Sequence, residues 1–209
     1  MEGLLGGTWH SIATREGLQL ELLETIAPRY VFFPHWSYII PRAVYETFEC
    51  VVFHMTDLPY GRGGSPLQNL VVRGHQETVV SALRVSAGLD TGPVYGKRPL
   101  SLLGTAEEIL LRATHVTEEL MAWLVRSEVV PQAQIGPVTT FTRRTPDEGN
   151  VTTASTLEAL HDHIRMLDAD GYPPAFLETE HLHFAFSRAS LKHDRVIADV
   201  TITRKPSRQ

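Results

Sequence analysis

The sequence predicts an α/β fold with a parallel sheet. Two short apolar runs typical of buried strands, at 30–33 and 50–53, flank a segment in which Pro41 stands where a helix begins. Hydrophobic residues make up 43% of the chain and charged residues 21%, as in an ordinary globular protein. Because parallel strands need a crossover that usually contains a helix, this strand–helix–strand order favours a parallel sheet with helices packed on it.

The remaining elements are predicted from periodicity and capping residues. Leucine and isoleucine at helical spacing predict a helix that ends before Pro28, and Ser65-Pro66 predicts the cap and first turn of a helix over 67–73. Thr105 and Glu108 form a capping box that begins a long amphipathic helix to about Val125. Strands are predicted over 79–85 and 94–97.

The last third of the chain predicts a smaller region of different character. Residues 131–150 are polar and broken by glycine and proline, which predicts a crossing segment or a linker. Ser155 and Glu158 predict a capped helix to about Leu167, and the alternating runs 181–187 and 196–202 predict a hairpin that turns at 192–195. We therefore expect a catalytic core over 1–140, and over 141–209 a linker, a helix and a β-hairpin.

Composition limits the classes of function. The formal charge is −5, and no basic patch suits nucleic acid, so we expect no nucleic-acid partner. Cys50 is the only cysteine, which excludes an internal disulfide, and its apolar neighbours predict a buried, inert thiol. We expect a cytoplasmic protein with no membrane partner, because no segment predicts a signal peptide or a membrane span. The scattered histidines, His161 and His163 among them, predict no metal site.

Two side chains at strand ends can carry chemistry. His54 follows the apolar run 50–53 and precedes a glycine-rich loop; it can exchange a proton or stabilise an oxyanion there, or simply bond to backbone. Asp90 follows the strand over 79–85 and acts either as a carboxylate partner or as a turn former. If the two strands are neighbours, their ends would bring His54 and Asp90 together as a proton-sharing pair.

These residues lie in two motifs that identify a family. Residues 54–66 resemble the His-x-Ser-Leu-Leu-Pro-x-x-Arg-Gly-x-x-Pro signature of folate-dependent formyltransferases, and Leu89–Pro93 is similar to their Leu-Asp-x-Gly signature. Residues 143–149 and 164–176 are similar to further family segments. The run at 32–37 and residues 63–69 resemble short bacterial members linked to surface sugars or secondary metabolites.

The resemblance implies a doubly wound, Rossmann-like core, with 10-formyltetrahydrofolate as cosubstrate and a small-molecule amine as acceptor. The sequence departs from the family in two ways. Val52 stands where an asparagine usually stabilises the oxyanion, and fewer residues than usual precede His54, which predicts a truncated core lacking most of the first βαβ unit. Because such a core would leave apolar sheet surface uncovered, we expect a homodimer.

Further site residues are predicted from chemistry and position. Asn69 is our candidate for the missing oxyanion donor, with Gln68, Ser37 and His35 as other candidates; the alternative for Asn69 is a solvent-facing amide. Arg62 would hold an anionic group of the acceptor or pair with Asp57. Gly63 and Gly64 are predicted to contact the substrate. The residues predicted to bind folate are Phe33, Trp36, Ile39, Ile40 and Leu89. The alternative for the aromatic and aliphatic residues between 33 and 40 is that they close the core.

Three functions fit these features. The first is transfer of a formyl group to an amine, with a nucleotide-linked amino sugar as first choice and an amino-acid-derived intermediate as second. The second is hydrolysis of formyltetrahydrofolate, in which the same histidine and aspartate would act on water. The third is a non-catalytic ligand-binding remnant, which Val52 favours.

Overall fold

The computed structural model describes residues 7–205. The chain divides into two compact units, which are described separately. The first comprises residues up to 62, 79–99 and 113–140, and the second comprises 63–78, 100–112 and the residues from 141 on. The predicted boundary at residue 140 stays a prediction, and residues 1–6 and 206–209 of the two predicted segments lie outside the described residues.

A sheet of four strands organises the first unit. Its strand order is β1 (Val31–Phe33), β2 (Cys50–His54), β4 (Glu77–Arg84) and β5 (Val94–Ser101). Strands β1 and β2 are parallel and are joined through α2 (Arg42–Thr47), as predicted. Strands β2 and β4 are antiparallel, with His54 opposite Ser81, so the sheet is mixed. The expected α/β class is confirmed, and the strand–helix–strand unit is parallel as predicted, whereas β4 joins the sheet antiparallel.

An apolar cluster covers this sheet. Helix α1 (Leu20–Ile26) contributes Leu23, which is buried with Val44 of α2 and with Cys50 of β2. Burial raises the pKa of the Cys50 thiol to about 12, so the thiol stays protonated and unreactive near neutral pH. The predicted burial of this cysteine is confirmed.

Helix α4 (Ala106–Arg126) is the longest helix and begins where its capping box predicts. The Thr105 backbone N–H donates to the Glu108 carboxylate at 2.8 Å, and the Glu108 N–H donates to the Thr105 hydroxyl at 3.3 Å. One face of the helix is buried, since its buried residues recur every three or four positions. Among residues 7–205, no helix has both the length and the apolar character that a membrane span requires.

The second unit contains α3 (Pro66–Val71), α5 (Leu157–Arg165) and a sheet of β7 (Ala175–Glu178), β8 (Leu182–Leu191) and β9 (Val196–Arg204). The predicted hairpin is present as β8 and β9. Strand β7 extends it to three strands, because Ala175–Glu178 pairs antiparallel with β8. The four residues of β7 were too few to predict as a strand from alternation alone.

Two predicted caps are placed differently in the structure. Thr156, not Ser155, caps α5 by accepting a hydrogen bond from the Ala159 N–H at 3.1 Å. Ser65 does not cap α3 with its side chain, because its hydroxyl accepts a hydrogen bond from the Arg144 N–H at 3.0 Å. In both cases only the hydrogen-bond partner differs from the prediction, and both helices form where expected.

Residues 131–150 are more ordered than a linker. They include β6 (Thr140–Phe141), which pairs with β3 (Arg62–Gly63), and a 3₁₀ helix over Pro146–Gly149. Another 3₁₀ helix, Val151–Thr153, follows directly. The other residues of the segment have no regular secondary structure, in keeping with the predicted crossing segment or linker, and its short elements depend on distant hydrogen-bond partners that local sequence does not reveal.

Candidate active site

His54 is the last residue of β2, and its ring is held from one side by the loop that follows. Its Nε2 lies 2.8 Å from the Gly61 carbonyl oxygen, which also accepts a hydrogen bond from the Thr56 hydroxyl at 3.3 Å. The Thr56 carbonyl in turn accepts a hydrogen bond from the Ser81 hydroxyl at 2.7 Å on the neighbouring strand β4. The ring is thus oriented by backbone that is itself anchored to the sheet.

Asp90 faces the other side of the ring. Its Oδ2 lies 3.6 Å from His54 Nδ1, and both side chains are largely buried. The predicted proximity of His54 and Asp90 is therefore observed, although the reason differs from the predicted one. Strand β4 runs antiparallel to β2, so the strand ends do not meet, and the loop after β4 carries Asp90 to the histidine instead.

The hydrogen bonds of His54 define which nitrogen can act. A carbonyl oxygen only accepts, so the bond to Gly61 places a proton on Nε2. In a neutral ring Nδ1 then presents a lone pair to Asp90, and an ionised carboxylate also presents only lone pairs. One proton on either Nδ1 or Oδ2 makes the pair attractive. The 3.6 Å separation exceeds a hydrogen bond and is within ion-pair distance.

The Asp90 loop depends on a close backbone approach at Gly92. A Cβ atom at this position would lie 1.7 Å from the Arg84 carbonyl oxygen, which only glycine avoids. The Arg84 N–H donates to the Pro93 carbonyl at 2.9 Å, which closes the base of the loop. Asp90 itself has φ 54°, a left-handed conformation that aspartate tolerates better than most residues. The backbone conformation of the loop therefore requires glycine at 92 and is compatible with aspartate at 90, in addition to any chemical role of Asp90.

Gln134 is a site residue that the sequence analysis missed. Its Nε2 donates to the carbonyl oxygens of Asp90 and Gly92, each at 2.8 Å. Its Oε1 accepts from Arg62, at 3.1 Å from Nε and 2.7 Å from the terminal nitrogen. Gln134 lies in the segment interpreted as a linker, where no periodicity or motif distinguishes it.

Arg62 has a different partner from the one considered in the sequence. Asp57 pairs with Lys97, so the predicted alternative of an Arg62–Asp57 salt bridge is not observed. Arg62 is instead half-buried and aligned by Gln134, beside the Asp90 loop. The role of Arg62 in binding an anionic group of the acceptor stays a prediction.

The residues predicted to bind folate divide into three environments. Phe33 and Ile40 belong to the apolar core, as the alternative interpretation of this run expected. Ile39 is 82% exposed and Leu89 61% exposed. Trp36 packs edge-on against Phe33, and its buried indole Nε1 has no hydrogen-bond partner in the described part of the chain. A buried donor without a partner is costly, but this nitrogen is also shielded from solvent, so the contact of Trp36 with folate stays a prediction.

Asn69 lies in the second unit, where its amide is fully engaged. Its Nδ2 lies 3.0, 3.1 and 2.9 Å from the carbonyl oxygens of Gly64, Ser65 and Thr142, and its Oδ1 accepts from Arg73 at 2.8 Å. The side chain is 6% exposed, so the alternative of a solvent-facing amide is wrong. A structural role accounts for these bonds, and the catalytic role stays a prediction.

Asn69→Ala separates the two roles. Because three carbonyls would lose a buried donor, we expect the free energy of unfolding to fall by about 1–3 kcal/mol, measured by urea denaturation. If Asn69 is also an oxyanion donor, turnover per folded molecule would fall by about tenfold to a thousandfold. Unchanged stability would contradict the structural role.

Gly63 and Gly64 are required by the chain that passes beside them. A Cβ at Gly63 would lie 2.3 Å from the Phe141 carbonyl oxygen, and one at Gly64 would lie 2.7 Å from the Arg143 Cα. Gly63 also has φ 109°, which L side chains rarely adopt. These contacts explain both glycines within the second unit, and their predicted contact with substrate stays a prediction. Within residues 7–205, no group of three histidine, cysteine or acidic side chains is placed to hold a metal ion.

Several solved structures described as formyltransferases share this fold. A solved structure described as methionyl-tRNA formyltransferase from Clostridium thermocellum is 48% identical, with a TM-score of 0.90, and the match covers 93% of this chain and 86% of that one. Residues 146–203 match the family model for the methionyl-tRNA formyltransferase C-terminal domain. A 4-N formyltransferase from Francisella tularensis shares the fold at 11% identity, with a TM-score of 0.64 over 78% of this chain and 72% of that one.

The curated relatives extend the same result. Methionyl-tRNA formyltransferase from Sorangium cellulosum is 32% identical over 147 residues, which is 66% of this chain and 47% of that protein. The chain spans about half the length of the curated relatives it matches. The class defined by the fold is thus the Rossmann-like α/β formyltransferases, as predicted. The similarity to the Clostridium thermocellum protein shows that the chain belongs to the folate-dependent formyltransferase family, as its two motifs indicate.

Proposed function

We propose that this chain transfers a formyl group from 10-formyltetrahydrofolate to the amine of a small acceptor. The observation that carries the proposal is the His54–Asp90 pair, in which His54 Nδ1 lies 3.6 Å from Asp90 Oδ2 while Nε2 is bound to Gly61. Two groups that share one proton suit a reaction in which an amine loses a proton and a leaving nitrogen gains one.

The donor, when bound, supplies the formyl carbon, whose bond to a folate nitrogen is exchanged for a bond to the acceptor nitrogen. In this proposal Asp90 accepts the proton that the acceptor amine loses. The Nε2 proton of His54 is committed to the Gly61 carbonyl, so His54 acts through Nδ1. A proton taken up by Asp90 Oδ2 passes to Nδ1 and from there to the leaving nitrogen, and protonated Nδ1 stabilises negative charge nearby.

Trp36 supports the assignment of a flat, polar donor molecule. Its ring offers an aromatic surface beside Phe33, and its Nε1, now buried without a partner among the described residues, would donate to a carbonyl or ring nitrogen of a pterin once the segment around it moves aside. The second predicted wall residue outside the core, Ile39, is largely exposed and available to cover such a ring. The first unit thus contains a buried donor and an exposed apolar side chain of the kinds that folate requires.

Trp36→Phe tests this assignment. The change keeps an aromatic wall and removes the N–H, so we expect folate affinity to fall about tenfold, the loss of one hydrogen bond. The free energy of unfolding should hold steady or rise, because a buried unpaired donor is removed. Titration of tetrahydrofolate by calorimetry gives the affinity. An unchanged dissociation constant would remove Trp36 from the binding site.

A small acceptor is favoured over charged tRNA by the charges of the second unit. Binding to nucleic acid depends on basic side chains that are available to phosphates. Several basic residues here are instead within ion-pair distance of acidic ones, namely Arg144, Arg165, Arg188, Arg195 and Lys205. We therefore place a nucleotide-linked amino sugar first, an amino-acid-derived amine second and methionyl-tRNA, the acceptor in the names of the relatives, third.

An acceptor panel tests the proposal. Purified protein and 10-formyltetrahydrofolate are incubated with nucleotide-linked amino sugars, amino-acid-derived amines and methionyl-tRNA, and products are identified by mass spectrometry. We expect an N-formylated sugar. Formylated tRNA would show that the acceptor is a charged tRNA and not a small amine. Formate as the sole product would instead indicate the hydrolase, and absence of any product would indicate the binding remnant.

The predicted homodimer also belongs to this proposal. Val200 and Ile202 of β9 are 45% and 56% exposed, which supports coverage of this strand by a partner. Sedimentation at micromolar concentration should show a dimer, and a monomer would exclude it.

A further inference from the structure

We propose that Gln134 is a positioning residue that fixes the Asp90 carboxylate against His54 and links it to the acceptor-binding arginine, Arg62. The inference rests on the proposed function, because it assigns Asp90 and Arg62 their roles in formyl transfer. Gln134 contacts both: its Nε2 bonds the backbone on either side of Thr91, and its Oε1 bonds the Arg62 guanidinium.

The hydrogen bonds of Gln134 leave its amide one orientation. A primary amide has two N–H donors and an oxygen with two lone pairs, and all four are used here. The groups around it cannot exchange roles, because the two carbonyls only accept and the guanidinium only donates. Gln134 therefore acts as a rigid bridge between the Asp90 loop and Arg62.

The Asp90 loop needs such a bridge. Asp90 has φ 54°, a conformation that persists in a non-glycine residue only where the surroundings hold it. Gln134 binds the carbonyls of Asp90 and Gly92, and thereby holds the backbone that sets the direction of the carboxylate. The 3.6 Å distance from Oδ2 to His54 Nδ1 depends on that direction.

Gln134 is itself anchored. Two residues before it, Gln132 pairs with Val94 at the start of β5 through hydrogen bonds of 2.8 Å in both directions. Five residues after it, the Thr139 carbonyl accepts a hydrogen bond from the Arg62 N–H at 2.9 Å. The segment is therefore bonded to the sheet on one side of Gln134 and to the Arg62 loop on the other.

Two variants of similar size separate the functions of the bridge. Gln134→Glu keeps an acceptor for Arg62 and turns a carboxylate oxygen toward the two carbonyls, whereas Gln134→Met removes both sets of bonds. We expect kcat to fall by about tenfold to a hundredfold in both, since small misplacements of reacting groups have effects of this order. The KM for the acceptor should rise in Gln134→Met and stay near wild type in Gln134→Glu.

Gln132→Ala is the matched control, because the Gln132 side chain is exposed and bonds only the Val130 carbonyl of its own segment. Its kinetics should match wild type. The ¹⁵N signals of the His54 ring provide a readout that does not require activity, and they should shift in both Gln134 variants and not in Gln132→Ala. Wild-type kcat and wild-type His54 signals in both Gln134 variants would overturn the proposal. If the wild type transfers no formyl group, the proposed function fails, and the ring signals still decide whether Gln134 positions the pair.

Discussion

His54→Ala will lower the rate of formyl transfer by about a hundredfold to ten-thousandfold, the range for loss of a general acid–base group. The physical reason is that Nδ1 is the nitrogen of His54 that faces Asp90, since Nε2 is bound to Gly61. Alanine leaves Asp90 with no ring to receive its proton. Steady-state formylation with the best acceptor measures the loss, and circular dichroism checks that the fold is retained.

Asp90→Asn should have an effect of similar size. Asparagine tolerates the left-handed conformation at φ 54°, whereas alanine would add a backbone cost of about 1–2 kcal/mol and obscure the chemistry. If His54 and Asp90 act as one unit, the double variant should be no slower than the slower single variant. His115→Ala is the control, because His115 is an exposed residue on α4 beside Glu119. Additive losses in the double variant would contradict the shared-proton account.

Gly92→Ala is expected to destabilise the protein and also lower its activity. Its Cβ would lie 1.7 Å from the Arg84 carbonyl oxygen, so the base of the Asp90 loop must open. Overpacking of this kind costs about 1–3 kcal/mol of unfolding free energy. A displacement of Asp90 of about 1 Å would lower turnover by about a hundredfold among the molecules that stay folded. Thermal unfolding and kinetics on the same preparation measure both effects.

Gly74→Ala is the matched control for this prediction. Gly74 has φ 79° and no atom within 4 Å of a built Cβ, so alanine there meets backbone strain without a clash. We expect a loss of about 1–2 kcal/mol in stability and unchanged turnover. Wild-type stability and turnover in Gly92→Ala would show that the loop adapts, and the close approach would then have no functional role.

The sequence predicted the proximity of His54 and Asp90 for a reason that only partly holds. Motifs and strand ends pointed to His54 and Asp90, and the structure brings them to 3.6 Å. Strand direction was not predictable, because an apolar run such as 79–85 fits a parallel and an antiparallel neighbour equally well. The positions of the helices were predictable, since proline at a first turn and a capping box at Thr105 act locally.

Long-range hydrogen bonds account for what the sequence did not reveal. Gln134 bonds the backbone of residues 42 and 44 positions away, and no local pattern indicates such partners. Asn69 was predicted from its position in α3, yet a carbonyl 73 residues away engages its amide. Gly63 and Gly64 were predicted as substrate contacts, whereas they and Gly92 are needed because other backbone passes too close for a Cβ.

Transfer of an isotope-labelled formyl group tests directly whether His54 and Asp90 move a formyl group from folate to an amine. The wild-type protein and the double variant His54→Ala/Asp90→Asn are incubated with 10-[¹³C]formyltetrahydrofolate and the acceptor panel, and the label is followed by NMR. We expect the wild type to move the label into an N-formyl amine and the double variant to do so about a hundredfold to ten-thousandfold more slowly. Equal labelling by the two proteins, or label from the wild type found solely in formate, would contradict it.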